Sequence, residues 1–182
     1  MNIDQIPVGT LEEFNVVVEI PQGSQHKYEI DEHTGLLRLY TVTRGTLAYP
    51  YNYGIIPSTL AEDGDHLDVF LIANEPIPPL TLVPARPLGV LELIDNGEPD
   101  HKVLAICSVD EHFVRIASVK ELDHDPEAEL RSFFTQITTL SNDKEYSIIA
   151  FHGPEGAKKE IQVCAERYRR VGGRKEEERF QR

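Results

Sequence analysis

Glu62-Asp-Gly-Asp-His-Leu-Asp68 sets three aspartates within six residues around a glycine, directly before the apolar run 69–72. Extended backbone would put Asp63 and Asp65 on one side, and a turn would bring Asp68 near them. Carboxylates this close raise one another's pKa or take a cation between them. Hard divalent ions are the natural partners, and Mg²⁺ in particular takes one or two carboxylates plus water and phosphate oxygens. The same segment also reads as a solvated acidic turn. It fits a calcium loop poorly, because the repeating Asx positions, the glycine at the sixth place and the closing glutamate are absent.

Other polar groups lie in suggestive surroundings. Lys27 and Glu29 are two residues apart, so a strand would give them one face. Asp95, Asp100 and Lys102 fall between two apolar runs, and Tyr49 and Tyr53 flank the segment Tyr49-Pro-Tyr-Asn-Tyr-Gly54. Each alone reads as a surface charge or a packed tyrosine. His26, His66 and His101 stand beside them and read as exposed loop side chains, since Mg²⁺ favours oxygen. A softer ion such as Mn²⁺ or Zn²⁺ would make His66 the first histidine to examine.

The elements that must position these groups follow from hydrophobic periodicity. Phe14–Ile20 alternates, with Phe14, Val16, Val18 and Ile20 on one face and Asn15, Val17 and Glu19 on the other. Further short strands are expected at 27–30, 36–42, 68–72, 88–93, 103–106 and 146–151, punctuated by Pro and Gly turns. Many short strands with few helices between them suggest a small closed barrel. Asp125-Pro126 is an N-cap followed by a first helical residue, leading into 127–140, where Leu130, Phe133, Phe134, Ile137 and Leu140 form a core-facing stripe. A second helix is expected over 155–170, with Ala157, Ile161, Cys164, Ala165 and Tyr168 inward. The class is α+β: a single domain over 1–170, with a Gly-broken, charge-rich and mobile tail over 171–182.

At 182 residues the chain fits one domain, and its formal charge of −13 argues against nucleic-acid or anionic-membrane binding. No apolar stretch approaches the length of a membrane span, and the opening MNIDQIPVGTLEEF lacks the basic start and apolar run of a secretion signal. Cys107 and Cys164 sit in apolar contexts and read as buried free thiols, which makes the cytoplasm the expected compartment.

The joint order of these blocks resembles the family I (soluble) inorganic pyrophosphatases. VVVEIPQGSQHKYEID, AYPYNYGIIPSTL, EDGDHLDVFL and RPLGVLELIDNGEPDHK carry the likeness, with His66 where the family more often has Pro or Glu. The resemblance implies a five-stranded OB-like barrel with flanking helices, Mg²⁺-dependent hydrolysis of pyrophosphate (Mn²⁺ or another divalent ion as substitute), and homo-oligomers, often hexamers. It makes Asp63, Asp68 and Asp100 the principal metal ligands and adds Asp95 at a further site. Glu19 and Glu29 hold metal through water. Asp65 takes a proton from the attacking water, Lys27 and Tyr53 contact the attacked phosphate, and Tyr49 and Lys102 support them.

Three positions depart from the family pattern. An arginine expected after the LLRLY strand is Thr41, and a Tyr-Lys pair on the following helix aligns with Ile137 and Thr138, with Lys144 a surviving later lysine. All three would hold the leaving phosphate, so an altered diphosphate substrate or a non-catalytic phosphate-binding module is the competing expectation. Arg38 and Arg44 are candidate replacements, but both lie an odd number of residues from Thr41, which in a regular strand points them to the opposite face.

Overall fold

The computed structural model describes residues 3–31, 34–43, 45–141 and 144–180. Its strands are β1 (Phe14–Ile20), β2 (His26–Ile30), β3 (Leu37–Val42), β4 (Asn52–Ile56), β5 (Leu67–Ile72), β6 (Leu82–Asp95), β7 (Glu98–Pro99), β8 (Lys102–Cys107) and β9 (Tyr146–His152). Two helices follow the ring, α1 (Pro126–Leu140) and α2 (Pro154–Phe180). The strands pair in the order β1-β4-β5-β8-β6, and β6 pairs back onto β1, so five strands close a ring. The expected barrel is therefore present. Every pairing in the ring is antiparallel except β5 with β8. That parallel pair sets Asp68 opposite Lys102. β9 extends the ring by pairing with β6, and β2 and β3 form a separate hairpin.

Alternation gives the strands two apolar faces. One cluster joins Val16, Val18, Val69, Leu71, Val103 and Ala105 to Ala157, Ile161 and Cys164 of α2. The other joins Phe70, Ile72, Leu104, Ile106, Leu91 and Leu93 to Leu130, Phe133 and Phe134 of α1. Both cysteines are buried and free, as expected. The α1 cap is also as expected, the Asp125 carboxylate accepting from the Ala128 N–H at 3.1 Å.

The structure differs from the sequence reading in four places. First, Ile20 belongs to the α1-side cluster rather than to that of Val16 and Val18. Val18 pairs with Gly54 and Ile20 with Tyr53, so Glu19 is the extra residue of a β-bulge and the alternation resets there. Second, the segment from Tyr49 to Gly54, where no strand is expected, leads into a fully buried strand, β4. Gly54 is required in it, because a Cβ would stand 2.0 Å from the Val17 carbonyl oxygen. Third, Asp63 and Asp65 are not in extended backbone: the segment turns through Gly64 at φ +97°, with the Ala61 N–H donating to the Asp65 carbonyl. Fourth, α2 does not stop at Arg170 but continues to Phe180.

Candidate functional site

β5 and β8 lie side by side at the centre of the acidic cluster. Lys102 opens β8 and is buried, and its Nζ donates to carboxylate oxygens of both Asp68 and Asp100. Burial disfavours its charge, but the two aspartates outweigh that and raise its pKa above the ordinary lysine value. Asp100 is pushed the other way from a typical ion pair: burial lifts its pKa despite Lys102, and the charges of Asp68 and Asp63 lift it further. Three aspartates that lie up to 37 residues apart in sequence thus bear on one another in space.

The bulge in β1 turns Glu19 inward, where it is 6 % exposed and accepts the Ile30 N–H at 2.8 Å. Burial is the main cause that moves its carboxyl up to about 8, opposed by the Ile30 hydrogen bond and aided by Asp68 and Glu29. Lys27 and Glu29 share a face, their Nζ and Oε1 2.8 Å apart. Tyr53 is buried against Asp68, and its ring lies 5.5 Å from that of Tyr49. Burial, with Asp68 adding, holds both phenols well above their ordinary pKa, so both remain protonated donors.

Asp95 ends β6, and Asn96 and Gly97, both at positive φ, turn the chain into β7. One Asp95 oxygen takes Lys144 Nζ at 2.5 Å; the other, Oδ1, is buried without a hydrogen-bond partner. Asp65 lies in the turn after Asp63, its N–H donating to Asp63 Oδ1 at 3.0 Å. His66 is tied into the fold, its Nδ1 2.9 Å from the Thr59 carbonyl oxygen and its ring 6.1 Å from that of Tyr168. It is not an exposed loop side chain.

A cleft of about 630 Å³ adjoins this cluster. Lys27, Tyr49, Tyr53 and Lys144 line it, and so do two of the departing positions, Thr41 and Ile137. The third, Thr138, does not: its hydroxyl accepts the Tyr146 N–H at 3.0 Å and anchors β9 to α1. The parity argument about Arg38 fails, because Tyr40 is the extra residue of a bulge between the pairs Lys27–Thr41 and Tyr28–Leu39. Arg38 nevertheless stays out of the cleft, bound to Asp31. Arg44 lies outside the described residues. Tyr146, which sequence reading gave no role, lines the cleft between Phe134 and Lys144. Its only sequence signal is its place two residues after Lys144 on the approach to a strand.

The donor set suits a hard cation. Asp68 and Asp100 already converge on one ammonium, Asp95 offers an unpartnered buried oxygen, and the surrounding ligand atoms are carboxylate oxygens. Among the described residues no three His, Cys, Asp or Glu side chains are grouped closely enough to hold a metal ion unaided. Two carboxylates completed by water and phosphate is the arrangement Mg²⁺ commonly takes.

Comparison with known proteins gives a consistent result. The profile of the inorganic pyrophosphatase family matches residues 16–169. The soluble inorganic pyrophosphatase 1 of Arabidopsis thaliana is 38 % identical over 164 residues, covering 90 % of this chain and 77 % of that protein. The crystal structure of inorganic pyrophosphatase from Thermus thermophilus superposes with a TM-score of 0.88 at 32 % identity, covering 93 % of this chain and 99 % of that one. That from Neisseria gonorrhoeae gives 0.86 at 31 % identity, with the same coverage.

Proposed function

The chain belongs to the inorganic pyrophosphatase family and hydrolyses inorganic pyrophosphate to two phosphates, and we propose that it does so at the Asp68–Asp100 cluster with Mg²⁺ as the resident ion. Dependence on a divalent metal is a general property of the family; Mn²⁺ is the proposed substitute. Asp68 and Asp100, which already converge, would hold the metal directly, with Asp63 joining them only when the ion draws it in. Asp95 would hold a further ion, and Glu19 and Glu29 would reach the metal through water. When bound, the metal neutralises phosphate oxygens and makes water a stronger acid near neutrality.

The chain's own residues account for the rest. The Asp65 carboxylate accepts a proton from the attacking water, a transfer that requires that water to lie within hydrogen-bond reach of it. Lys27 and the protonated Tyr53 hydroxyl orient the attacked phosphate, since both line the cleft beside the acids. Tyr49 and Lys102 support them: Tyr49 through its ring contact with Tyr53, Lys102 by holding Asp68 and Asp100 together. Lys144 at the far side meets the leaving phosphate. The observation that carries the reading is the convergence of Asp68 and Asp100 on a single cation beside a cleft with cationic and phenolic donors. Neither an altered diphosphate substrate in place of pyrophosphate nor a non-catalytic phosphate-binding module is favoured, because the relatives matched across most of their length are named as the enzyme.

We further propose a cytoplasmic, homo-oligomeric protein, with a hexamer as the expected assembly, and a catalytic unit contained in residues 1–170. No helix among the described residues is long and apolar enough to cross a membrane. The direct test is phosphate release from pyrophosphate with Mg²⁺, with Mn²⁺ and with chelator. Release should require the metal; background release under every condition overturns the proposal.

A further inference from the structure

The cleft is larger and more apolar than a pyrophosphate ion requires. Its volume of about 630 Å³ falls in the range, roughly 300–1,000 Å³, of pockets that enclose drug-sized organic ligands. Beside its lysines, tyrosines, Thr41, Thr43 and Ser141, its wall carries Val42, Leu47, Phe133, Phe134, Ile137 and Leu140. Ile137 and Leu140 continue the α1 stripe, yet neither is buried in the core as Leu130, Phe133 and Phe134 are. Ile137 packs partly against the α1-side cluster, and both line the cleft.

Among the described residues the cations lining the cleft are Lys27 and Lys144, and each already carries a carboxylate partner, Glu29 and Asp95 respectively. Lys144 is the one lysine left to meet the leaving phosphate, and the aliphatic side chains around it offer that phosphate no further charged donor. A phosphate that is esterified carries less charge there and brings a hydrocarbon to the wall. The cleft thus offers lysines and phenols to an anion and, in the same wall, aliphatic and aromatic side chains to a hydrocarbon.

We propose that, in addition to pyrophosphate, the cleft accepts diphosphate monoesters of apolar alcohols and cleaves them between the two phosphorus atoms. This deepens the pyrophosphatase reading and rests on it. The water oxygen bonds to the terminal phosphorus while its bond to the bridging oxygen breaks. The electron pair of that bond leaves with the organic monophosphate, and the water's proton passes to Asp65. The products are inorganic phosphate and an organic monophosphate.

The test uses the full chain with Mg²⁺ and three substrates: pyrophosphate, methyl diphosphate and octyl diphosphate. The kcat/KM for octyl diphosphate should exceed that for methyl diphosphate by about tenfold or more, as burial of several methylenes requires. In ¹⁸O-labelled water the label should appear in inorganic phosphate and not in octyl phosphate. Leu140→Asp, a change at a partly exposed position, should lower the octyl-to-methyl ratio several-fold. Without turnover, calorimetry with octyl methylenediphosphonate should show tighter binding and a more negative heat-capacity change than with methylenediphosphonate. Phosphate release from pyrophosphate with an octyl-to-methyl ratio at or below one overturns the inference and leaves the pyrophosphatase reading standing. Equal binding of the two phosphonates likewise overturns it. No release from pyrophosphate overturns that reading and this inference with it.

Discussion

Asp68, Asp100 and Lys102 form a small electrostatic circuit whose parts depend on one another. A buried lysine keeps its proton only because two carboxylates face it, and removing one leaves charge uncompensated in a poorly hydrated place. Asp68→Asn should therefore impair both metal affinity, read by calorimetry, and phosphate release. Asp65→Asn makes a narrower change, since general-base catalysis is worth about 10²–10⁴-fold. It should lower kcat by that order while leaving Mg²⁺ binding and the melting temperature near wild type. Glu19 supplies a pH signature in chelated protein. Its carboxyl sits at about 8 in the folded chain against 4.5 for the ordinary group, so the folded state binds the proton more tightly. The stability this contributes is complete below pH 4.5 and is lost as pH rises towards 8. Wild-type stability relative to Glu19→Gln should fall across that window, by at most about 1.4 kcal/mol per pH unit, in denaturant titrations at pH 5 and pH 8.

At the scale of elements, two bulges do the aiming. The extra residue in β1 is Glu19 itself, and the extra residue in β3 is Tyr40, whose ring lies 4.9 Å from Lys27 Nζ. Regular strands would have sent these side chains to other faces. β4 depends on closeness instead: Gly54 lets the Val17 backbone approach, so Gly54→Ala should displace β1 from β4 and destabilise the ring by about 1–3 kcal/mol or more in urea unfolding. Asp125→Ala removes one cap hydrogen bond from α1 and should cost about 1 kcal/mol in the same assay without altering KM. Restoring a lysine at Thr138 would forfeit the bond to the Tyr146 N–H, which loosens β9 from α1 as well as adding charge.

For the whole molecule, a net charge of −13 repels pyrophosphate at long range, so approach depends on local cations. Increasing ionic strength at saturating Mg²⁺ should alter kcat/KM more than kcat, measured by initial rates. Light scattering at native concentration should give the mass of about six 20.6 kDa chains, and a truncation after Arg170 should retain phosphate release if 1–170 is the catalytic unit. A monomeric mass would remove the oligomer proposal without touching the chemistry.

The sequence by itself determined the strand-rich ring, the α1 stripe with its Asp125 cap and the buried thiols. These follow from periodicity and short-range chemistry, which are written along the chain. It also marked Thr41, Ile137 and Thr138 as departures from the family pattern, of which Thr41 and Ile137 line one cleft. Only the tertiary structure decided that Glu19 and Tyr40 are bulge residues, that Arg38 is bound to Asp31, and that Thr138 serves β9 rather than the cleft. A bulge shifts the facing of a strand by one residue, and which partner a side chain meets depends on strands brought together from distant positions. Neither leaves a mark in local periodicity.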